Sequence, residues 1–427
     1  MSKTITLLTS GTRGDVLPYI ALGLGLREAG YEVRIAAPAS FRQLIEQSNL
    51  TCAPFEGNPS ELLVEQGEPL TLGSNPIRSF RATQNFMRQA SAMYPVILQT
   101  AAEACRGSDA LLYGLPALWG AHIAEGLHIP GIRAVLQPIA PTREFSSALL
   151  PFRPSLLGIG SWLSHWVLTQ VTWLAWRRAI NRARRTHFNL PPAPWLDPSL
   201  RPFAHQPLTL NGFSELIVPR PRDWNEKQII TGYWRNSAFT QPSTNAAKEE
   251  FIRLEQFIEH SPQNTIAIGF GSPGAQDFAH VINILTQALH QADARAVLTI
   301  PSRWHAYIKS ANFFPIEFVP HDWLYPRVRV AVHHGGAGTT SASLHAGIPT
   351  VALPLAIDQF FWGERVYKLG VGTKPIPQRS LHADKLAEAI QQALQDQSMR
   401  DRAIGISQAL GLEDGVQAAV RVMRDLL

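Results

Sequence analysis

Two doubly wound α/β domains are the fold this sequence predicts, and three observations predict it. The first third alternates short apolar strands with amphipathic helices, a polar stretch follows "TGYW", and the same alternation then starts again. A chain of 427 residues also exceeds one comfortable hydrophobic core, so its length suits two such domains. With 45% hydrophobic and 17% charged residues, the composition is that of a soluble globular enzyme rather than a disordered segment.

The elements follow in order. "TITLLTS" reads as the first strand, "LPYIALGLGLREAG" as a helix closed by Gly30, "YEVRIAAP" as a strand and "FRQLIEQSN" as a helix. "DALLYG" (109–114), "WGAHIAEGL" and "GIRAVLQP" continue the pattern, which calls for a parallel sheet with helices on both faces. Residues 141–187 break it, with Trp162, Trp166, Trp173 and Trp176 ahead of the basic cluster "RRAINRARR" (177–185). Ser161, Ser164, His165, Thr169, Gln170 and Thr172 interrupt the apolar run, so a membrane-spanning helix is not expected. Two readings stand. The segment is either a pair of buried helices with a basic end or an apolar acceptor pocket, with Trp162, Trp166 and Trp173 binding the acceptor near a membrane surface.

The stretch 235–247, "RNSAFTQPSTNAA", reads as a linker. After it come the strand "NTIAIGF", the helix "DFAHVINILTQALHQA", the strands "RAVLTI", "IEFVP" and "VRVAVHH", the helix "TTSASLHAG" and the strand "TVALP". The resulting division is a first domain over 1–218, a linker over 219–247, a second domain over 248–410, and a terminal helix over 411–427 that packs back on the first domain.

The N-terminus reads as a strand rather than a signal peptide, and Cys52 and Cys105 have no CxxC spacing, so a cytoplasmic location is expected. The formal net charge is +5, concentrated at 177–185. No glycine-aromatic or zinc pattern accompanies that cluster, which argues against a nucleic-acid partner. A membrane surface or an anionic ligand fits it better, and peripheral contact through 155–185 is the corresponding expectation.

Four corners carry potential chemistry. In "SGTRGDVLP" (10–18), Gly11 and Gly14 permit a tight strand-to-helix turn, and Asp15 serves either as a helix cap or as a general base at the carboxyl end of the first strand. "GFGSPG" (269–274) has the form GxGxxG, but the next strand ends in Ile300-Pro301-Ser302 without the acidic residue of a dinucleotide site. An NAD-dependent oxidoreductase is therefore the distant reading, and the corner retains bare amides and Ser272 to face a phosphate. "HHGGAG" (333–338) leaves the amides of 335–340 at a helix N-terminus, an anion seat that lacks the lysine of a triphosphate loop. "LPLAIDQFFWGERV" (353–366) presents Asp358 and Gln359, suited to a hydroxyl-rich ligand or to a plain polar loop before a helix. No DxD pair and no His/Cys/Asp cluster at ligand spacing appears, so no metal is expected.

With these corners stand "GTRGDVLPYIALGLGL" (11–26), "LQPIAPTREF" (136–145), "GFS" (212–214), "VPRPRDW" (218–224), "TGYW" (231–234), "VPHDWLYPRV" (319–328), "HHGGAGTT" (333–340), "GIPTVALPLAIDQFFWGERV" (347–366), "LGVG" (369–372) and "EDGV" (413–416). In this order they resemble the UDP-glycosyltransferase superfamily of the GT-B fold, closest to its sterol and lipid glucosyltransferase branch and the related bacterial antibiotic glycosyltransferases. The resemblance implies two Rossmann-like domains facing each other across a cleft. It implies a hexose, glucose, moved from a UDP-sugar to a hydroxyl of an apolar acceptor such as a sterol. The displacement would be single, inverting and metal-independent, with no cofactor beyond the donor.

By the same resemblance Asp15, after Gly14, is the base. His333 meets the diphosphate with Ser272 and the backbone of Gly335, Gly336, Ala337, Gly338, Thr339 and Thr340. Phe318 stacks on the nucleotide base, His321 lies in the same loop, and Asp358 and Gln359 hold the sugar hydroxyls. Plant members carry a ribose-binding glutamate where this chain has Ser341, which leaves the choice between UDP and dTDP open. A dTDP-deoxysugar transferase of natural-product biosynthesis and a non-catalytic nucleotide-sugar-binding protein are the rival readings. The oligomeric state is left open.

Overall fold

The computed structural model describes residues 2–59, 89, 92–150, 158–197, 207–235, 245–269 and 278–427. These group into two compact units, one built from the residues up to 235 together with Glu413–Leu427, the other from residues 245 to 412.

The first unit holds a seven-stranded parallel sheet: β1 (Thr4–Leu8), β2 (Glu32–Pro38), β3 (Thr51–Phe55), β4 (Ala110–Tyr113), β5 (Gly131–Val135), β6 (Thr209–Asn211) and β7 (Gln228–Ile230), in the order β3-β2-β1-β4-β5-β6-β7. Ile5, Leu7 and Leu8 are all fully buried although successive side chains point to opposite faces, so both faces must be covered. Helix α1 (Arg13–Glu28) covers one of them, and α2 (Arg42–Gln47) and α3 (Gly120–Leu127) follow later strands. β7 falls inside the 219–247 stretch read as linker. It belongs to the first sheet, and only three residues long it gave no alternation to read.

The C-terminal helix α12 (Gly415–Leu426) lies in the first unit against α1, where a methyl on Gly25 would stand 2.2 Å from Val416 Cγ1. Ser214 Oγ donates to Glu413 Oε1 at 2.6 Å, and a Cβ on Gly415 would meet the Gly232 and Tyr233 backbone at 2.5 Å. The "GFS", "TGYW" and "EDGV" motifs are thus one packing site, in which glycine allows backbone to touch backbone.

The Trp-rich segment is a single helix, α4 (Ile159–Phe188), of 30 residues. The reading of two shorter helices is corrected: nothing between 159 and 188 breaks the backbone, and the polar residues that interrupt the apolar run lie on one continuous helix. Its inner face carries Trp173, Ile180 and Ala183 into a core with Phe55, Tyr94, Trp119 and Ile123, and Trp176 stacks on Tyr94 at 4.2 Å. Its far end is clamped by Arg184, whose buried guanidinium grips both Glu125 oxygens, one at 2.9 Å, and donates to the Pro191 carbonyl at 2.8 Å.

The second unit holds β8 (Thr265–Gly269), β9 (Arg295–Thr299), β10 (Phe313–Ile316), β11 (Ala331–His333) and β12 (Thr350–Ala352), all parallel, in the order β10-β9-β8-β11-β12. Among its helices are α5 (Asn245–His260), α6 (Phe278–Gln291), α8 (Ala337–Ala346), α9 (Gln359–Lys368), α10 (Ala383–Gln395) and α11 (Gln397–Leu410), with the short α7 (His321–Leu324) after β10. The strand expected at "IEFVP" lies earlier, at Phe313–Ile316. It includes Pro315, which the ladder tolerates because β10 is an edge strand.

In both sheets the strand order reverses beside the first strand of the unit, at β1/β4 and at β8/β11. Ligands of open parallel sheets bind at the carboxyl ends of strands flanking such a point. The corners after β1 and β11 begin there.

The His122 imidazole and the Arg184 guanidinium hold the Glu125 carboxyl down to about 2, against its partial burial. Its ordinary value is 4.5, so this stabilisation is full above about pH 4.5 and is lost as pH falls toward 2. Glu125→Gln is expected to remove that acid-labile contribution, seen as a shallower fall of thermal midpoint between those pH values. Arg184→Ala, which strands the Pro191 carbonyl as well, is expected to cost about 1–3 kcal/mol by thermal or denaturant unfolding at neutral pH.

Candidate functional site

In the first unit the corner after β1 is built around a single carboxylate. Gly11 has φ +105, and a Cβ there would lie 2.5 Å from Asp15 Oδ2, so glycine is required for both conformation and space. The Thr12 amide and hydroxyl both donate to Asp15 Oδ2, at 2.8 and 2.9 Å. Thr9 Oγ1 donates to the Asp15 carbonyl at 2.9 Å, and buried Asn58 donates from Nδ2 to the Gly11 carbonyl at 2.9 Å. Asp15 therefore caps the helix and is oriented by doing so. Beneath it, buried Tyr19 donates to the Ala134 carbonyl, and burial together with the Asp15 charge pushes its phenol far up. Gly14 is exposed on the first turn.

In the second unit the corner after β11 is organised by His333, which is 1% exposed. Its Nδ1 accepts the Gly335 amide at 3.0 Å, and its Nε2 faces Ser343 Oγ at 3.4 Å. Ser343 Oγ donates to the Thr340 carbonyl and accepts from Thr350 Oγ1, which leaves it able to receive the imidazole N–H. Burial, with His334 and His321 nearby, holds the His333 pKa well below its usual value, so the ring is neutral. The resemblance casts His333 as a direct diphosphate contact, but here both ring nitrogens are engaged within the unit. Its visible work is to shape the loop whose amides follow.

That loop is nearly bare. Gly335 has φ +84, and a Cβ on it would stand 2.8 Å from the Gln359 carbonyl oxygen. Gly336 is the N-cap of α8 and offers no side chain to its first turn, so the first-turn amides from Ala337 through Thr339 have no cap partner. Thr340 is fully buried, and its hydroxyl has no hydrogen-bond partner among the described residues. His334 presses on Gly336, where a Cβ would be 2.5 Å from its Nε2; burial lowers its pKa, opposed by the Gly269 backbone at the end of β8.

The neighbouring loop meets this one through the Gly335–Gln359 contact. Gln359 Oε1 accepts from the Leu355 and Ala356 amides at 2.8 and 3.2 Å, closing its own turn, and Asp358 Oδ2 accepts from Trp362 Nε1 at 3.0 Å. Between these turns Ile357 takes φ +52, a costly conformation for a β-branched residue. Farther along the sheet edge Phe318 is 51% exposed, and His321 stacks on Tyr325 at 4.7 Å. Ser341 is buried, with its hydroxyl 3.3 Å from His345 Nδ1 one turn on.

The structure therefore brings Gly335, Gly336, Ala337, Gly338, Thr339, Thr340, Asp358 and Gln359 together in the second unit, with His333 behind them. Ser272 lies outside the described residues. Trp173 is corrected from acceptor contact to core: it is buried, its indole N–H donates to the Pro194 and Trp195 carbonyls, and it packs on His122. Trp162 and Trp166 stay half-buried on α4. Among the described residues no group of three or more His, Cys, Asp or Glu is placed to hold a metal ion. Sequence reasoning missed Thr12, Asn58, Ser343 and Thr350. Thr12 had a signal, the T-x-x-D spacing of a capping box; the others act across the fold and had none.

Two outcomes follow. Gly335→Ala forces a left-handed alanine against the Gln359 carbonyl and is expected to cost about 1–2 kcal/mol of stability, by denaturant unfolding. Because His333 is neutral when folded and its pKa is depressed, its contribution to stability is full above about pH 6.5 and is lost as pH falls below that value. His333→Asn keeps an acceptor for Gly335 and is expected to flatten this acid decline in thermal midpoint, whereas His333→Ala is expected to be less stable at every pH.

Known proteins share this architecture. The Glycosyltransferase family 28 N-terminal domain matches residues 5–146, and the C-terminal domain described as Erythromycin biosynthesis protein CIII-like matches residues 283–411. A sterol 3-beta-glucosyltransferase of Arabidopsis thaliana is 32% identical over 97% of this chain and 67% of its own length. Another, of Emericella nidulans, is 34% identical over 99% of this chain and 30% of its own length, so the chain spans under a third of that fungal relative. Among solved structures, the kitacinnamycin glycosyltransferase superposes with a TM-score of 0.69 at 17% identity, covering 100% of this chain and 99% of the other. The spinosyn rhamnosyltransferase complexed with thymidine diphosphate superposes with a TM-score of 0.63 at 17% identity, covering 99% and 100%. The fold is thus GT-B, and the chain belongs to the sterol 3-beta-glucosyltransferase family of glycosyltransferases.

Proposed function

We propose that this chain transfers glucose from UDP-glucose to the 3-hydroxyl of a sterol, or of an apolar alcohol of similar shape. The observation that carries the proposal is the carboxylate after β1. Asp15 is held by two hydrogen bonds from Thr12 at the carboxyl end of a central strand. The sterol named for the plant relative, matched over 97% of this chain and 67% of that protein, supports this reading.

In the proposed reaction Asp15 accepts the proton of the acceptor hydroxyl as that oxygen attacks the anomeric carbon. One C–O bond forms there, and the bond to the nucleoside diphosphate breaks. The amides of Gly335–Thr340, kept in place by His333, stabilise the departing diphosphate, so charge develops against fixed dipoles rather than water. A single displacement leaves the opposite configuration at the anomeric carbon. A carboxylate is a far weaker base than the alkoxide it would generate. Its proton transfer is therefore expected to accompany attack rather than precede it. Asp358 and Gln359 hold sugar hydroxyls, Phe318 stacks on the base with His321 beside it, and half-buried Trp162 and Trp166 contribute to the acceptor side.

The test crosses UDP-glucose and dTDP-glucose with sterol and polyketide acceptors and reads the product and its anomeric configuration. A β-glucoside of a sterol, formed with UDP-glucose, is the expected result. Turnover confined to dTDP-sugars would favour the deoxysugar-transferase reading, with Ser341 in place of a ribose-binding acid. Asp15→Asn is expected to lower kcat about 10²–10⁴-fold with nucleotide binding unchanged. An Asp15→Asn variant with wild-type kcat, or donor binding without turnover on any acceptor, would defeat the proposal.

A further inference from the structure

Neither candidate corner nor the core of the first unit uses the outer face of α4. That face is a continuous stripe. Ile159, Leu163, Val167, Val171 and Leu174, spaced by threes and fours, are 39% to 67% exposed, and the same spacing continues through exposed Arg178, Arg182 and Arg185. Residues three and four apart share a helix face, so apolar half and basic half form one line along a helix of roughly 45 Å. The 30 residues contain no aspartate or glutamate.

The arginines of this helix divide by role. Arg184 is consumed by Glu125, and Arg177 by the Ala193 and Pro194 carbonyls and the Trp195 ring. The Arg178 and Arg182 guanidiniums have no hydrogen bond or ion pair among the described residues and project outward from the stripe. Beside the apolar half, Gln170 and Trp173 donate to the Trp195 carbonyl at 3.1 Å and pin an exposed Trp195-Leu196 pair alongside the helix.

We infer that this stripe docks the protein on an anionic lipid bilayer, with α4 lying in the plane of the interface. The aliphatic residues and Leu196 enter the acyl boundary, Trp195 sits at headgroup depth, and Arg178, Arg182 and Arg185 meet lipid phosphates. No helix among the described residues is long and apolar enough to cross a membrane. Self-association through this face lacks charge complementarity, since a helix without acidic residues offers a second copy nothing for its arginines. The inference is independent of the acceptor assigned above.

Co-sedimentation with vesicles tests it, using phosphatidylcholine alone and phosphatidylcholine with about a third phosphatidylglycerol. The wild-type chain is expected to partition onto the anionic vesicles at least tenfold better than onto the neutral ones, with the difference shrinking in high salt. Arg178→Gln with Arg182→Gln should lose roughly tenfold on anionic vesicles, and Val167→Gln with Val171→Gln should lose binding to both compositions. All four positions are exposed, and unchanged thermal midpoints will show that the variants fold. Wild-type partition by both double variants would overturn the inference. So would a dimer in sedimentation equilibrium that Val167→Gln with Val171→Gln dissociates.

Discussion

Parallel strands all end at one edge of their sheet, and the backbone amides just beyond them have no sheet partner. Both candidate corners depend on that constraint. In each unit the strand order turns back beside the first strand, so the corners after β1 and β11 open at a gap that no crossover helix fills. The remaining work is to keep those corners in shape without filling them. Glycine does part of this, at Gly11 and Gly335, where any side chain would strike Asp15 or the Gln359 carbonyl.

Polar side chains do the rest, and they do it from behind. His333 spends one nitrogen on the Gly335 amide and aims the other at Ser343, which is tied in turn to Thr340 and Thr350. Gln359 turns its side-chain amide oxygen onto two backbone amides of its loop. Thr12 gives two hydrogen bonds to one oxygen of Asp15. Each of these residues has the chemistry of a ligand contact, and each is also a brace. A buried neutral imidazole suits bracing well, because it accepts and donates at once without the cost of a buried charge.

The legibility of the sequence follows the same division. Local patterns were readable: the βα alternation, the glycine corners, Asp15 at a helix start, Gly336 opening a helix of small residues. Features set by distant parts of the chain were not. β7 is three residues long and exists because β6 offers it an edge. β10 lies three residues before its expected start and contains a proline that only an edge strand accepts. Trp173 looks like Trp162 and Trp166 in composition, yet it points at His122 and the 194–195 carbonyls, a difference set by helix rotation against the α3 side of the core. The partnership of Ser343 with His333 and Thr350 spans strands and helix, and no spacing announces it.

The long helix α4 shows how one element can serve two environments. Facing inward, it stacks Trp176 on Tyr94 and buries Trp173, while Arg184 fastens its end to Glu125. Facing outward, it repeats the same three-and-four spacing with residues that the core does not need. Average hydrophobicity over the segment mixes the two faces, which is why its composition alone read equally as core or as pocket. Rotation about the helix axis separates them. The inner tryptophans pack into the core of the first unit, and the outer aliphatic residues with Arg178 and Arg182 are left without a structural task inside it. Burying the outer stripe would remove apolar area from water at a low backbone cost, because the inner contacts already fix the helix, and only the ordering of the outer side chains opposes it.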